Sequence, residues 1–440
     1  MIALPAVGQV HLQRAPQLPS RIDVRRDGQR RFASWSQTGA AAGTGFAAAL
    51  GARRGRSTRR RVARLALRPT DDRRVRRRDL SLLSGLLPLA LPLEPTAAAG
   101  ANYEVELSIP QSRLVARLQE AAPRTIVITG ANSGVGLAGS KLLSASGHRV
   151  ICACRTEAKA QKAVEACKAG IQASARPGSA VGYVCDLADL SSVRAFVEKL
   201  KQAKEPVDTL VLNAGLSLNA TEKGSKYVQR TADGFERTVG TNHFGHFLLA
   251  NLATPILSSA SKPRVVVTAS PVHDPLSGGG DVGPPASLGD FKGLMSASFE
   301  MVDGGEFDPD KAYKDSKLCN MLFLAEASRR FAGAGITVNA FSPGLIADPE
   351  GFFRYQNSTF ASIFNQVSRF AGVAETNEFG GSALAFMAVD PDLNGRSGGW
   401  YDSYPPGAHQ LAKHAASAEA RDEAKQKRLW ELSAKLTKLV

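Results

Sequence analysis

The chain has 440 residues, of which 22% are charged, and a formal net charge of +15. That charge is uneven, because residues 1–100 hold nineteen arginines, no lysine and six acidic residues. Nucleic-acid binding needs Lys and Arg clustered on a folded face, and the part after residue 100 has no such cluster, which argues against a nucleic-acid-binding protein. The length allows two domains, but only this later part has the pattern of a folded domain.

Residues 1–100 are rich in Ala, Arg, Ser and Gly and show no sustained hydrophobic period. This composition predicts an organelle transit or targeting leader. The alternative is a disordered tail with no targeting function. Near its end, arginines at 76–78 precede an apolar run at 80–93. The run is too short and too often interrupted by proline to span a membrane, so it indicates a signal or a membrane-surface element.

From residue 124 onward, short runs of Val, Ile and Leu alternate with helix-like segments. Continuous apolar strands are buried on both faces, and their alternation with helices predicts an α/β fold with a doubly wound, Rossmann-like parallel sheet. We therefore predict a single catalytic domain over residues 124–440. The strand-like runs lie at 125–130, 149–155, 181–186, 208–215, 263–270 and 336–344.

The first of these runs leads into the glycine loop TGANSGVG at 129–136, which opens a helix. Glycines allow a tight turn and let backbone N–H groups approach a pyrophosphate at the positive end of the helix. The loop therefore predicts a dinucleotide site, with a tight turn that holds no ligand as the alternative. Its candidate cofactor residues are Gly130, Asn132, Ser133, Gly134, Val135 and Gly136.

The second strand ends in a cation, where an acidic residue would accept bonds from the ribose of NAD. Arg155 follows this strand and Lys159 comes four residues later, which suits the 2′-phosphate of NADPH; two solvated surface cations are the alternative. After the third strand, Asp186 and Leu187 place a carboxylate where it can accept from the adenine amino group. The fourth strand completes the predicted NADPH site with Asn213, Ala214 and Gly215.

Tyr313 and Lys317 are four residues apart, about one helical turn, so their side chains share a helix face. A cation beside a phenol favours the phenolate, which makes Tyr313 a candidate acid or base. Such a pair alone is common on solvated helices and usually carries no function. Its combination with the glycine loop, Asn213, Asn242 and Ser270, in this order, predicts a catalytic site.

The remaining motifs are read as structural. Five cysteines, at positions 152, 154, 167, 185 and 319, contain no C-x-x-C pair, so we predict reduced thiols and no metal site. His243 and His246 on an apolar helix are predicted to be core residues. The segment at about 271–310 and the C-terminus each have apolar side chains to bury. These are Leu288, Phe291, Leu294 and Phe299 in the first, and Leu429, Leu432, Leu436 and Leu439 at helical spacing in the second.

Together, these motifs resemble the short-chain dehydrogenase/reductase family over residues 124–405. Three stretches are also similar to the light-dependent protochlorophyllide oxidoreductases within it: YKDSKLCNM, GFERTVGTNHFGHFLL and VDPDLNGRSGGWY. Ser270 and Tyr313 are 43 residues apart, well beyond the dozen or so of ordinary members. The extra segment, at about 271–310, is similar to the insertion that distinguishes this narrower family.

The resemblance implies NADPH as cofactor, protochlorophyllide as substrate, and light-driven reduction to chlorophyllide in a plastid. The apolar run at 80–93 adds peripheral association with the thylakoid membrane as a prediction. It implies that Tyr313 donates the proton and that Lys317 lowers the tyrosine pKa and binds the nicotinamide ribose. Asn242 would anchor a proton relay behind Lys317, and Ser270 would orient the substrate and the tyrosine.

Cys319 resembles a cysteine linked to the pigment site of that family. It lies roughly 120° round the helix from Tyr313, so packing at the edge of the pocket is as consistent with its position as chemistry. The chain also departs from the family pattern: Leu212 and Leu345 stand where plant-type members have cysteine, and Asp348 lies near the position of a threonine that faces the nicotinamide amide.

Two alternatives use the same residues. A light-independent carbonyl reductase or retinol-type dehydrogenase requires only the same four catalytic side chains. A cofactor-sensing homologue without turnover requires only the fold, but loss of function would first remove Tyr313 or Lys317, and both are present.

Overall fold

The computed structural model describes residue 105 and residues 107–218, 227–296, 299–346, 348, 366, 368 and 370–439. The predicted leader at 1–100 lies outside these residues, as does its apolar run. Among the described residues, no helix is both long enough and apolar enough to cross a membrane.

A single mixed sheet organises the described residues. Its strands are β1 (Leu107–Pro110), β2 (Thr125–Thr129), β3 (Arg149–Cys154), β4 (Ser179–Val184), β5 (Thr209–Leu212), β6 (Arg264–Thr268), β7 (Thr337–Phe341), β8 (Trp400–Ser403) and β9 (Gln410–Lys413). They lie in the order β1-β9-β8-β7-β6-β5-β2-β3-β4. Strands β2 to β8 run parallel, and β9 and β1 add an antiparallel edge. The predicted doubly wound parallel sheet is confirmed.

Helices cover both faces of this sheet, as the alternation along β2 shows. Val127 points into one hydrophobic core, and its neighbours Ile126 and Ile128 point into the other. Four helices bury residues in the core of Ile126, namely α1 (Gln111–Leu118), α2 (Gly134–Ser144), α3 (Glu157–Ala173) and α7 (Asn377–Val389). Four others bury residues in the core of Val127, namely α4 (Leu190–Gln202), α5 (Gly245–Leu257), α6 (Pro309–Arg330) and α8 (Glu423–Leu436).

The fold begins before residue 124, which corrects the predicted domain boundary. Strand β1 pairs with β9, and Leu114 and Leu118 of α1 are fully buried. The Arg117 guanidinium also forms an ion pair with the buried carboxylate of Asp390. The sequence pattern missed this segment because its strand is four residues long and its pairing partner lies about three hundred residues away.

The insertion and the C-terminal helix pack as predicted. Leu288, Phe291, Leu294 and Phe299 are all buried in the core of Val127. In α8, Leu429 and Leu432 are buried, and Leu436 packs against the same core, as does Leu439 just after the helix. Trp430 adds a contact that the leucine spacing did not indicate, since its ring stacks on Phe323 at 5.8 Å between centroids.

Candidate active site

The glycine loop connects β2 to α2 at the carboxyl edge of the parallel strands. Gly130 and Gly134 have positive φ angles of +68° and +53°, which favour glycine. A Cβ at Gly136 would lie 2.5 Å from the Gly130 carbonyl oxygen, so a larger residue cannot fit there. Asn132 and Ser133 form the turn before α2, and Val135 lies in its first turn. All six predicted loop residues are therefore brought together at the N-terminus of α2, where a pyrophosphate can bind.

Thr129 braces this loop against the end of β5. Its hydroxyl accepts the backbone N–H groups of Asn213 (2.9 Å) and Ala214 (3.0 Å). The Asn213 side-chain amide donates to the Thr129 carbonyl at 2.9 Å. Asn213 thus holds two strand ends at a fixed separation. Thr129 is the first residue of the glycine motif, whose sequence alone does not indicate this role.

The two predicted phosphate ligands flank the glycine loop. Arg155 is exposed directly after β3, and Lys159 is half-buried in the first turn of α3. The ends of β2 and β3 are joined because the Gly130 N–H donates to the Ala153 carbonyl at 2.8 Å. Two cations therefore stand at the same sheet edge as the loop, and their contact with a 2′-phosphate stays a prediction.

Asp186 and Leu187 follow β4 at the same edge. The Asp186 carboxylate accepts the Ala188 N–H at 3.0 Å, and its own N–H donates to the Ser192 hydroxyl at 3.0 Å. Leu187 is buried, and Gly245 packs so tightly on it that an added Cβ would lie 2.4 Å from the Leu187 carbonyl oxygen. This pair is rigidly placed beside the predicted dinucleotide path.

Asn242 lies in a π-helical turn, Gly240–Phe244, that runs directly into α5. Its side-chain amide donates to the Leu216 carbonyl (2.9 Å) and to the Ser316 hydroxyl (3.0 Å), and its oxygen accepts the Leu216 N–H at 2.9 Å. The fully buried side chain therefore joins the segment after β5 to the helix that holds Tyr313. Such turns are rare and are often found at functional sites.

Ser270 and Tyr313 meet although 43 residues separate them. Ser270 follows β6, Tyr313 lies in the first turns of α6, and the serine hydroxyl hydrogen-bonds the phenol. Burial raises the pKa of Tyr313 well above its ordinary value, and the bond from Ser270 opposes this shift only in part. Tyr313 therefore keeps its proton at neutral pH.

Lys317 is 4% exposed and donates to the Thr268 carbonyl at 3.1 Å. Burial lowers the pKa of Lys317 to about 8. Its ammonium lies 5.6 Å from the centre of the Tyr313 ring, and an added Cβ at Gly215 would lie 3.7 Å from it. The expected lowering of the Tyr313 pKa by Lys317 is not found: burial raises that pKa, and the group that lowers it is Ser270.

Cys319 lies on α6, six residues after Tyr313. Its side chain is fully buried in the core of Val127, where burial raises its pKa well above the ordinary value. The charged groups that act on it are Asp315, Glu419 and Lys311. A place for Cys319 at the pigment site stays a prediction, and the full burial of its thiol favours packing over chemistry.

His243 and His246 are buried, as predicted. The His246 ring bridges the Thr129 hydroxyl (2.9 Å) and the Asn242 carbonyl (3.1 Å), so it supports both the glycine loop and the π-helical turn. His243 contacts the Ser433 hydroxyl of the C-terminal helix at 2.9 Å. Both rings have pKa values lowered to about 3 by burial and stay neutral.

Asp348, the residue at the main departure from the family pattern, accepts a 2.7 Å bond from the Asn377 side chain at the start of α7. The carboxylate is thus tied to α7, and Gly380 and Gly381 pack this helix against Val135 and Ala138 of α2.

The model of the short chain dehydrogenase family matches residues 124–276. The chain is 40% identical over 328 residues to protochlorophyllide reductase B, chloroplastic, of Oryza sativa subsp. japonica, which covers 72% of this chain and 77% of that protein. It is 39% identical over 324 residues to the chloroplastic protochlorophyllide reductase of Chlamydomonas reinhardtii, covering 72% and 78%.

Among solved structures, the chain is similar to an uncharacterized protein from Mycobacterium Paratuberculosis. The two are 28% identical with a TM-score of 0.50, and the match covers 72% of this chain and 93% of that one.

Proposed function

Since the chain belongs to the protochlorophyllide reductase family, we propose that its site performs the light-driven, NADPH-dependent reduction of protochlorophyllide to chlorophyllide in a plastid. The observation that carries this proposal is the Ser270–Tyr313 hydrogen bond, placed beside Lys317 and Asn242 at the carboxyl edge of the sheet. A general acid must hold a proton where the substrate can receive it, and these contacts position one.

The residues at the sheet edge fit NADPH. The glycine loop opens helix α2, so backbone N–H groups at the helix N-terminus are available for a pyrophosphate, and Arg155 and Lys159 supply the charge for the 2′-phosphate. When bound, the cofactor supplies the hydride. Lys317 would hold the nicotinamide ribose, close to Gly215.

Reduction of one ring double bond of the pigment also needs a proton, which we assign to the phenol of Tyr313. Burial keeps the phenol neutral, and Ser270 orients it and stabilises the phenolate that remains after proton transfer.

Asn242 supports the helix that holds Tyr313 and Lys317 through hydrogen bonds. It bonds Ser316, which lies between Tyr313 and Lys317 on α6, and both backbone groups of Leu216. We assign to it the anchoring of the proton relay through which the phenolate is protonated again.

The insertion at about 271–310 is proposed to shape the pigment site, since it begins directly after Ser270 and returns to α6 just before Tyr313. Peripheral association with the thylakoid membrane stays a prediction from the apolar run at 80–93.

The test is a single-flash experiment. Purified protein is mixed with NADPH and protochlorophyllide in darkness and then flashed, and we expect a red-shifted chlorophyllide absorbance only after the flash. A sample without NADPH is the control. Conversion in darkness would indicate a light-independent reductase instead, and binding of both ligands without conversion would indicate a non-catalytic homologue.

A further inference from the structure

Lys314 follows Tyr313 directly, is 6% exposed, and has no part in the reaction described above. Its ammonium donates three hydrogen bonds, all to backbone carbonyls of the insertion. The acceptors are Gly280 (3.0 Å), Val282 (2.5 Å) and Pro284 (3.0 Å). An ammonium has three donors, so Lys314 uses its full donor capacity on one loop.

The three acceptors lie at the end of residues 271–284, a segment that starts immediately after Ser270 and that we call the strap. The strap is compact at its beginning, because the Ser277 hydroxyl shares its one proton between the carbonyls of Pro271 and Asp274, each at 2.8 Å. The Asp274 carboxylate in turn accepts a backbone N–H within the same turn. These bonds give the strap a defined path from the catalytic serine to the loop that Lys314 holds.

The strap is thus tied at both ends to neighbouring residues of α6. At one end Ser270 bonds Tyr313, and at the other Lys314 holds the three carbonyls. Between these ends, Leu276 is 74% exposed. Sites for large organic ligands are lined mainly by apolar side chains, and a tetrapyrrole presents a broad apolar face.

We propose that Lys314 is a positioning residue for the pigment: it fixes the strap as one wall of the substrate site, on which Leu276 contacts the tetrapyrrole. This inference rests on the proposed function. It assigns the lysine that follows the tyrosine to substrate recognition, separate from the proton chemistry of its neighbour.

Lys311 offers a matched control on the same helix. It is also a largely buried lysine that anchors the insertion, but it does so farther along, through the Ser287 carbonyl (2.9 Å) and the carboxylates of Asp303 (3.0 Å) and Asp315 (2.6 Å). Replacing either lysine by methionine removes a buried cation of the same size. Only Lys314→Met releases the strap.

The experiment compares full-length Lys314→Met, Lys311→Met and Leu276→Ser with the wild type in darkness. It measures the dissociation constants of protochlorophyllide and NADPH and the midpoint of thermal unfolding. We expect Lys314→Met to raise the pigment Kd by about tenfold or more, with the NADPH Kd within about twofold. Lys311→Met should lower the unfolding midpoint while its pigment Kd stays within about twofold of wild type.

Leu276→Ser keeps the test decisive if Lys314→Met fails to fold, because an exposed side chain contributes little to stability. We expect its unfolding midpoint to be unchanged and its pigment Kd to rise about three- to tenfold. An unchanged pigment Kd in folded Lys314→Met or Leu276→Ser would overturn the inference, as would equal pigment losses in Lys314→Met and Lys311→Met. A wild-type chain that neither binds nor converts the pigment would instead contradict the proposed function.

Discussion

Lys317 and Tyr313 share a face of α6, yet the lysine ammonium donates to the Thr268 carbonyl and lies 5.6 Å from the centre of the tyrosine ring. The group that lowers the phenol pKa is the Ser270 hydroxyl, against a larger upward shift from burial. Tyr313 is therefore a protonated acid near neutral pH. Lys317, with its pKa lowered to about 8, is the member of the pair that titrates under ordinary assay conditions.

Replacing Tyr313 by phenylalanine should slow product formation after the flash while both ligands still bind. Phe keeps the ring and removes its proton, and general acid catalysis is worth about a hundred- to ten-thousandfold in rate. Time-resolved absorbance should show a hydride intermediate that forms normally and then persists. The exposed Tyr227, replaced by Phe, is the matched control and should react as the wild type does.

The same experiment tests Cys319. Because its thiol is buried in the core, Cys319→Ser should lower stability and leave the proton step unchanged. A Tyr313→Phe variant with the wild-type rate, together with a Cys319→Ser variant that stalls after hydride transfer, would identify the thiol as the proton donor.

Replacing Arg155 by alanine should greatly reduce the preference of the protein for NADPH over NADH. Loss of a charge-assisted contact to a phosphate is worth about 1.5 to 3 kcal/mol, or roughly ten- to a hundredfold in affinity. Fluorescence titration of Arg155→Ala should show weaker NADPH binding and unchanged NADH binding. Lys162→Ala, which removes an exposed cation of the adjacent helix α3, is the control. Equal affinity of the wild type for both cofactors would refute the assignment.

NADPH binding should weaken as pH rises through about 8. The folded protein must hold a proton on Lys317 to present a cation to the cofactor, and burial lowers the pKa of Lys317 to about 8. Above that pH the Kd should rise by up to about tenfold per pH unit. Titrations between about pH 7 and 9.5 measure this slope. Lys317→Met should bind more weakly with a flat profile, whereas Arg155→Ala should keep the slope.

Acid should destabilise the fold from about pH 6.5 downward. Burial lowers the pKa of His148 to about 4 and that of His243 and His246 to about 3, so below their unfolded pKa the unfolded chain binds more protons than the folded one. Each histidine then removes about 1.4 kcal/mol of unfolding free energy per pH unit. Urea unfolding of the wild type and of His243→Leu, at about pH 7.5 and at lower pH, isolates the contribution of His243. The higher pH lies about one unit above the histidine pKa of the unfolded chain. The contributions of other groups cancel in the difference between the two proteins. Parallel profiles for the two proteins would contradict the assignment.

Residues 107–118 should be required for stability, whereas residues 1–100 should not. A chain that starts at Ala101 keeps β1 and α1 and should fold and turn over pigment. A chain that starts at Arg124 loses the pairing with β9 and leaves the buried Asp390 carboxylate without Arg117, which costs about 3 to 5 kcal/mol. Denaturant unfolding compares the two, and equal stability would show that this segment is dispensable.

Much of the architecture could be predicted because it depends on local sequence patterns. The apolar runs, the glycine loop before α2 and the four-residue spacing of Tyr313 and Lys317 depend on residues close together in sequence, so periodicity and turn chemistry are enough to predict them. The buried residues of the insertion and the stripe of α8 followed from the same reasoning.

The tertiary structure decided what depends on distant contacts. Strand β1 needs β9 as its partner, Ser270 reaches Tyr313 across 43 residues, and Lys314 finds its three carbonyl acceptors on the insertion. The protonation of Tyr313 and Lys317 likewise follows from burial in the assembled core. Sequence spacing specifies which side chains share a helix face, but desolvation and hydrogen-bond partners are properties of the packed molecule, and these set the chemistry of the site.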